Sequence, residues 1–257
     1  MAASILVNKI ILPDRKQWKE DFLKSEMFDK IKQISIALRV ETPLQIIDWV
    51  LDESERNLTT YRDTRRDTHD YTPREYHMYK GRITLSSFYM IDYLVKNTKE
   101  YPIIDIGCGM NLFKSVYPII GLDDDPRADI QGRFDKKFME DHKEKFSAAI
   151  AINSLHFIPL NQIKDRIQQF SHIIRPNGLG YMTLNIQRLI EKTNQVDPEF
   201  IISKKLDCIL NLREYVFEKV SSICDTLELL YYEDNVDEID DDYMDGNIKI
   251  IFRKNHE

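Results

Sequence analysis

Cysteine is scarce in this chain of 257 residues, with only three in all. Cys108, Cys208 and Cys224 are odd in number and far apart, which fits neither a disulfide framework nor a structural zinc site. A reducing cytoplasm is the expected setting. No apolar run exceeds five residues, whereas a bilayer helix needs roughly 20, so a helix crossing a membrane is not expected. The opening Met1–Lys9 stretch has neither a basic start nor a long apolar core and does not read as a secretion signal. Positive charge is also lacking: 36 Lys and Arg face 43 Asp and Glu, for a net charge of −7. Nucleic-acid binders are held largely by counterion release from phosphates, which needs a basic face, and this composition offers no global one. Hydrophobic residues make up 42% of the chain, enough for a folded core and too many for intrinsic disorder.

The charge is unevenly spread. Residues 1–100 are nearly balanced, with 17 basic against 16 acidic, while residues 101–257 carry 19 against 27. Hydrophobic periodicity divides the chain at about the same place. Residues 14–97 read as successive helices, opening at Asp14 as a cap, with Thr42-Pro43 and Thr72-Pro73 as two further helix starts. From Tyr101 onward, short apolar runs alternate with helical patterns, the signature of a mainly parallel sheet. Strands are expected at 102–106, 119–122, 148–152, 179–184, 227–232 and 248–252. The expected organisation is a helical N-terminal cap over residues 1–100 and an α/β core over 101–257. Two segments stand apart. Arg56–Arg82 interleaves seven basic and four acidic residues with Tyr61, Tyr71, Tyr76 and Tyr79. Glu233–Asp245 holds eight carboxylates and no cation, and is expected to be a solvated loop because like charges repel.

The sharpest motif is Asp105-Ile-Gly107-Cys108-Gly109-Met-Asn111, directly after the first expected strand of the core. Glycines there allow a tight turn and a close approach to main-chain atoms. A dinucleotide fingerprint would need a third glycine where this chain has Leu112. A phosphate-binding P-loop would need Gly-Lys-Ser/Thr, also missing. With Asp123 ending the second strand, Asn153-Ser-Leu-His156 following the strand at 148–152, and Arg175-Pro-Asn-Gly178 before the one at 179–184, the chain resembles the class I S-adenosylmethionine-dependent methyltransferases. Four motifs fall in that family's order over residues 101–185.

The resemblance implies a doubly wound, seven-strand-type sheet whose last strand is antiparallel, with S-adenosylmethionine as cofactor. It implies a cofactor set of Asp105, Gly107, Cys108, Gly109, Asn111, Asp123, Asp124, Phe134 and Asn153, with Asp123 accepting from the ribose hydroxyls. The interval Asp124–Asp129 is too short for the helix relatives carry there, so a turn is expected. At the adenine position the chain offers Gly132-Arg133-Phe134-Asp135; Asp135 could meet the amino group, and Phe134 could stack, lend its amide, or simply pack in the core. His156 is the candidate catalytic base, the alternative being a locally hydrogen-bonded, packed histidine. The resemblance makes residues 1–100 the substrate-selecting region, with Tyr71, Arg74, Tyr76, Tyr79 and Arg82 as the candidate substrate-binding lid, or else a surface ion-pair lattice. No metal is implied. The expected reaction is methyl transfer to an oxygen or nitrogen of a small molecule or protein side chain. An RNA methyltransferase, using the Arg56–Arg82 segment, and a cofactor-binding protein without catalysis are the alternatives. DNA methylation is not expected, because the chain has neither the Asn/Asp-Pro-Pro-aromatic tetrapeptide of amino methylation nor the Pro-Cys of cytosine-C5 chemistry.

Overall fold

The computed structural model describes residues 5–37, 85–98, 102–109, 112–206, 208–223, 225–240 and 243–256. By its contacts the chain divides into two compact units, one of residues 1–11, 94–111 and 118–257, the other of residues 12–93 and 112–117. Among the described residues no helix is long and apolar enough to cross a membrane.

The first unit is built on one eight-stranded sheet. Its strands are β1 (Leu6–Asn8), β2 (Ile103–Ile106), β3 (Ile119–Asp123), β4 (Ile130–Gln131), β5 (Phe146–Ile152), β6 (Ile174–Asn185), β7 (Leu227–Asp240) and β8 (Tyr243–Lys254). They lie in the order β1-β7-β8-β6-β5-β2-β3-β4. Strands β2 to β6 run parallel, and β8 is inserted antiparallel between β6 and β7. Apart from β1, this is the seven-strand order that the resemblance implies. Strand order reverses at β2, which pairs β3 on one side and β5 on the other, and open α/β sheets offer a crevice at the carboxyl ends of such a pair.

Apolar runs become central strands because both of their faces are covered: all of β2, and every residue of β5 except Ser147, is buried. On one face Ile104, Ile106, Ala149, Ala151, Met182 and Ile250 join a core with two helices, α5 (Ile163–His172) and α7 (Ile209–Ser221). Gly180 makes room for Phe252 on the neighbouring strand, since a Cβ there would run into the Phe252 ring.

The acidic run departs from expectation. It is not a loop: β7 continues to Asp240 and β8 starts at Tyr243, paired through Asn235↔Asn247 and Asp237↔Asp245. Ladder hydrogen bonds join main-chain groups whatever the side chains, and two of the carboxylates have cationic partners. Glu233 meets Lys249 Nζ at 2.9 Å, and the fully buried Asp234 lies 3.2 Å from Arg213. Between β3 and β4 the chain makes a turn over residues 124–129, as expected, with Asp129 accepting the Gly121 N–H at 2.9 Å.

The second unit contains α1 (Arg15–Leu23), α2 (Glu26–Ala37) and most of α3 (Leu85–Asn97). Asp14 caps α1 by accepting from Gln17 N at 2.8 Å, worth about 1 kcal/mol for such a cap. Its core is aromatic: Trp18 stacks on Phe22 at 4.8 Å and meets Tyr89 edge-on at 5.1 Å. The Trp18 indole N–H donates to Asp92 at 3.0 Å, so the buried ring keeps its polar end satisfied. The helix starts read at Thr42 and Thr72 lie outside the described residues.

Candidate cofactor site

The loop after β2 turns twice through left-handed backbone, with φ +67° at Gly107 and +57° at Gly109. Most side chains pay about 1–2 kcal/mol there and glycine does not. Gly107 is held for a second reason: a Cβ would collide with Ser154 Cβ, which follows β5. Ser154 is itself fixed, its hydroxyl donating to Ile106 O at 2.6 Å. The amides of Gly107 and Cys108 both donate to Leu122 O, at 2.8 and 3.1 Å. Three neighbouring carboxyl ends, those of β2, β3 and β5, are thereby joined at the point where strand order reverses.

Asp123 occupies the centre of this junction. Its Oδ2 accepts the Gly109 N–H at 2.7 Å and its Oδ1 accepts the Asp125 N–H at 3.0 Å. Each carboxylate oxygen has two lone pairs, so one acceptor site per oxygen remains for a ligand with two adjacent hydroxyls, and Asp123 is only partly buried. Asp125 is set by Arg127, whose Nε and Nη2 lie 2.8 and 2.7 Å from it. Those hydrogen bonds hold the Asp125 carboxyl down to about 2. Asp105 is wholly buried in β2, on the face opposite Ile104 and Ile106. Cys108 is buried, with Sγ 3.3 Å from Gly109 O.

Asn153, the first residue past β5, has φ +49°. It is locked to β6 by Thr183, which accepts from its amide at 3.0 Å and donates to Asn153 Oδ1 at 3.1 Å. His156 is buried, 6% exposed. Its Nδ1 accepts from the Asn185 N–H at 3.4 Å, and its ring meets Phe157 edge-on at 4.5 Å. Burial, helped by the nearby Arg188 charge and opposed by Glu191, pushes the imidazole down to about 4. The ring is therefore neutral near pH 7, with its proton on Nε2. Phe157 is 58% exposed between buried His156 and Ile158.

The structure thus brings Asp105, Gly107, Cys108, Gly109, Asp123 and Asn153 to one edge of the sheet. It does not bring Phe134 there by its ring, which packs against Phe138 and Phe170 at 6.2 and 6.4 Å. Of the three roles open to Phe134, core packing is the one its ring performs. Asp135 caps the helix α4 (Lys136–Asp141), accepting from Phe138 N at 2.8 Å. The Asp124 carboxylate is exposed, 3.5 Å from Arg133. Asn111, Tyr71, Arg74, Tyr76, Tyr79 and Arg82 lie outside the described residues. Ser154, Asp125, Thr183 and Asn185 escape a reading of motifs, because each acts by a contact that only the folded sheet creates. Among the described residues no cluster of three or more His, Cys, Asp or Glu could hold a metal ion.

No family model matches the chain, and no curated protein does. Among solved structures it is similar to a SAM-dependent methyltransferase from Methanosarcina mazei, at 15% identity over 63% of this chain and 97% of that one, with a TM-score of 0.39. A SAM-dependent methyltransferase from Anabaena variabilis is 14% identical over 67% of this chain and 84% of that one, TM-score 0.41. The carbon methyltransferase CurJ is 12% identical over 95% of this chain and 72% of that one, TM-score 0.42. The assignment of fold rests on the molecule's own strand order, with β8 antiparallel between β6 and β7: the chain has the class I methyltransferase fold.

Proposed function

We propose that this chain is an S-adenosylmethionine-dependent methyltransferase of a reducing cytoplasm, acting on an oxygen or nitrogen of a small molecule or a protein side chain. The observation that carries this reading is Asp123, tied to the glycine loop at 2.7 Å and keeping acceptor capacity for two vicinal hydroxyls. The residues fit the cofactor. Asp123 would take the ribose, Gly107 and Gly109 with Asp105 the methionine portion, and Cys108, Asn111, Asp124 and Asn153 the rim. Phe134 contributes through its main chain or by shaping the core beneath. When bound, S-adenosylmethionine supplies a methyl group on a positively charged sulfur, transferred by in-line displacement.

The protein's part is alignment and exclusion of water. His156 donates rather than accepts at Nε2 in the tautomer that Asn185 selects, so we assign it a positioning role: it holds Phe157 outward and the start of the helix α6 (Ile186–Val196) in place. An acceptor that needs no proton removed before attack, such as a neutral amine, suits this edge better than a hydroxyl that needs a base. Residues 1–100 would select the acceptor, with Tyr71, Arg74, Tyr76, Tyr79 and Arg82 as its lid.

Calorimetry tests the reading. S-adenosylmethionine and S-adenosylhomocysteine should bind, and Asp123→Ala should weaken both tenfold or more. Tight binding of NADH with no heat from either sulfur compound would overturn it.

A further inference from the structure

Beside the glycine loop, the sheet carries a polar row that the cofactor reading leaves unused. In register across β6, β8 and β7 stand Thr183, Lys249 and Glu233. All three project from the face opposite the core that contains Met182, Ile248 and Ile250. Thr183 is the residue that locks Asn153. Lys249 Nζ meets Glu233 Oε2 at 2.9 Å, and the Tyr231 hydroxyl donates to the same oxygen at 3.0 Å. Lys249 is 8% exposed and Thr183 4%, so the row is sheltered. Two residues nearer the carboxyl end of β6, in register with Asn185, comes Asn247 on the same face. Its Oδ1 is buried and accepts no hydrogen bond from any described residue.

A buried, unused acceptor is costly, and a ligand that donates to it recovers that cost. The row also lies at a definite place: Lys249 is two strands from Ile152, the residue before Asn153, or about 10 Å at the usual strand spacing.

Resting on the methyltransferase reading, we infer that Asn247, with the Thr183–Lys249–Glu233 row, forms a seat for a hydrogen-bond-donating group of the methyl acceptor, a hydroxyl or an N–H, about 10 Å from Asn153. The seat selects by a group remote from the reacting atom. A group that cannot donate, such as a carboxylate, an ether or a quaternary ammonium, gains nothing there.

The test uses the full chain saturated with S-adenosylhomocysteine and five probes on one scaffold: benzyl alcohol, benzamide, benzyl methyl ether, benzoate and benzyltrimethylammonium. The side-chain amide signal of Asn247 is followed by NMR, and cofactor-product binding is measured by calorimetry on the same sample. Benzyl alcohol and benzamide should shift that signal with dissociation constants at least fivefold below those of the other three. Asn247→Leu should erase the preference, and Asn247→Asp should turn it toward the quaternary ammonium. A uniform response to all five probes, or none from protein that binds S-adenosylhomocysteine, would overturn the seat. Protein that ignores S-adenosylhomocysteine yet keeps the preference would sustain the seat and sink the methyltransferase reading.

Discussion

The Asp123 carboxylate accepts the main-chain N–H of Gly109 at 2.7 Å, so the acid at the end of β3 and the loop after β2 are one unit before any ligand arrives. Asp123→Ala therefore removes a ligand contact and loosens the loop together. The expected loss is about 1.5–3 kcal/mol of binding free energy, the scale of a hydrogen bond to a charged group. Asp123→Asn keeps one acceptor oxygen and should fall between wild type and Ala. Titration calorimetry with S-adenosylhomocysteine ranks the three.

Gly107 carries two separable constraints, its positive φ and the Ser154 side chain in the space a Cβ would need. Gly107→Ala should destabilise the fold by more than the 1–2 kcal/mol of the backbone conformation alone. Adding Ser154→Gly should return the steric part only. Urea unfolding of the two single variants and the double variant gives the coupling; strict additivity would mean that the contact does not matter.

His156 should titrate near 4, against an ordinary value of 6.5. Because the folded value is depressed, the neutral ring stabilises the native state above pH 6.5, and that stability drains as pH falls from 6.5 toward 4. The full effect is on the order of 3 kcal/mol. Ring NMR gives the titration, and unfolding midpoints between pH 7 and 4 give the stability. His156→Ala should flatten the slope.

The positioning role of His156 separates from a base role by a conservative variant. In His156→Asn the amide oxygen can take the place of Nδ1 and accept from Asn185 N–H, so turnover should stay within a few fold of wild type. A general base would lose about 10²–10⁴ in turnover on either substitution. That loss in a well-folded His156→Asn protein would restore His156 as the base.

Arg213 and Asp234 form a buried pair, 6% and 0% exposed. Arg213→Met should cost about 3–5 kcal/mol by stranding the carboxylate, and Asp234→Leu on top should recover part of it. Recovery stays incomplete because Asp234 Oδ2 also accepts the Ile5 N–H at 3.1 Å. Thermal melts of the single and double variants decide.

What the sequence discloses of this fold is what side chains encode locally. The runs at 103–106 and 148–152 are apolar but for Asp105 because they are covered on both faces, and Gly107 is a glycine because the turn after β2 demands one. The lengths of β7 and β8 are hidden, since Asp237 and Asp245 look like loop residues while their main chains pair. Leu6–Asn8 is hidden more deeply: three residues carry no period, and their strand exists only because β7 offers a free edge. The site follows the same division. Gly107, Gly109 and Asp123 are legible from spacing, whereas Ser154, Thr183 and Asn247 matter through neighbours 30 or more residues away, and Asn185 through His156, 29 residues back.

The position of β1 also orders events in time. Among the described residues, residues 6–8 pair only with residues 231–233 of β7, and β7 joins the rest of the sheet only through β8, at residues 243–254. Contacts of such long range form late, after local structure has shortened the loops between them. Until β8 slots in beside β6, neither β7 nor β1 has a place to attach. The first of these strands in chain order is thus seated among the last, and for that interval Leu6 and its neighbours are unpaired and exposed to whatever else is in solution.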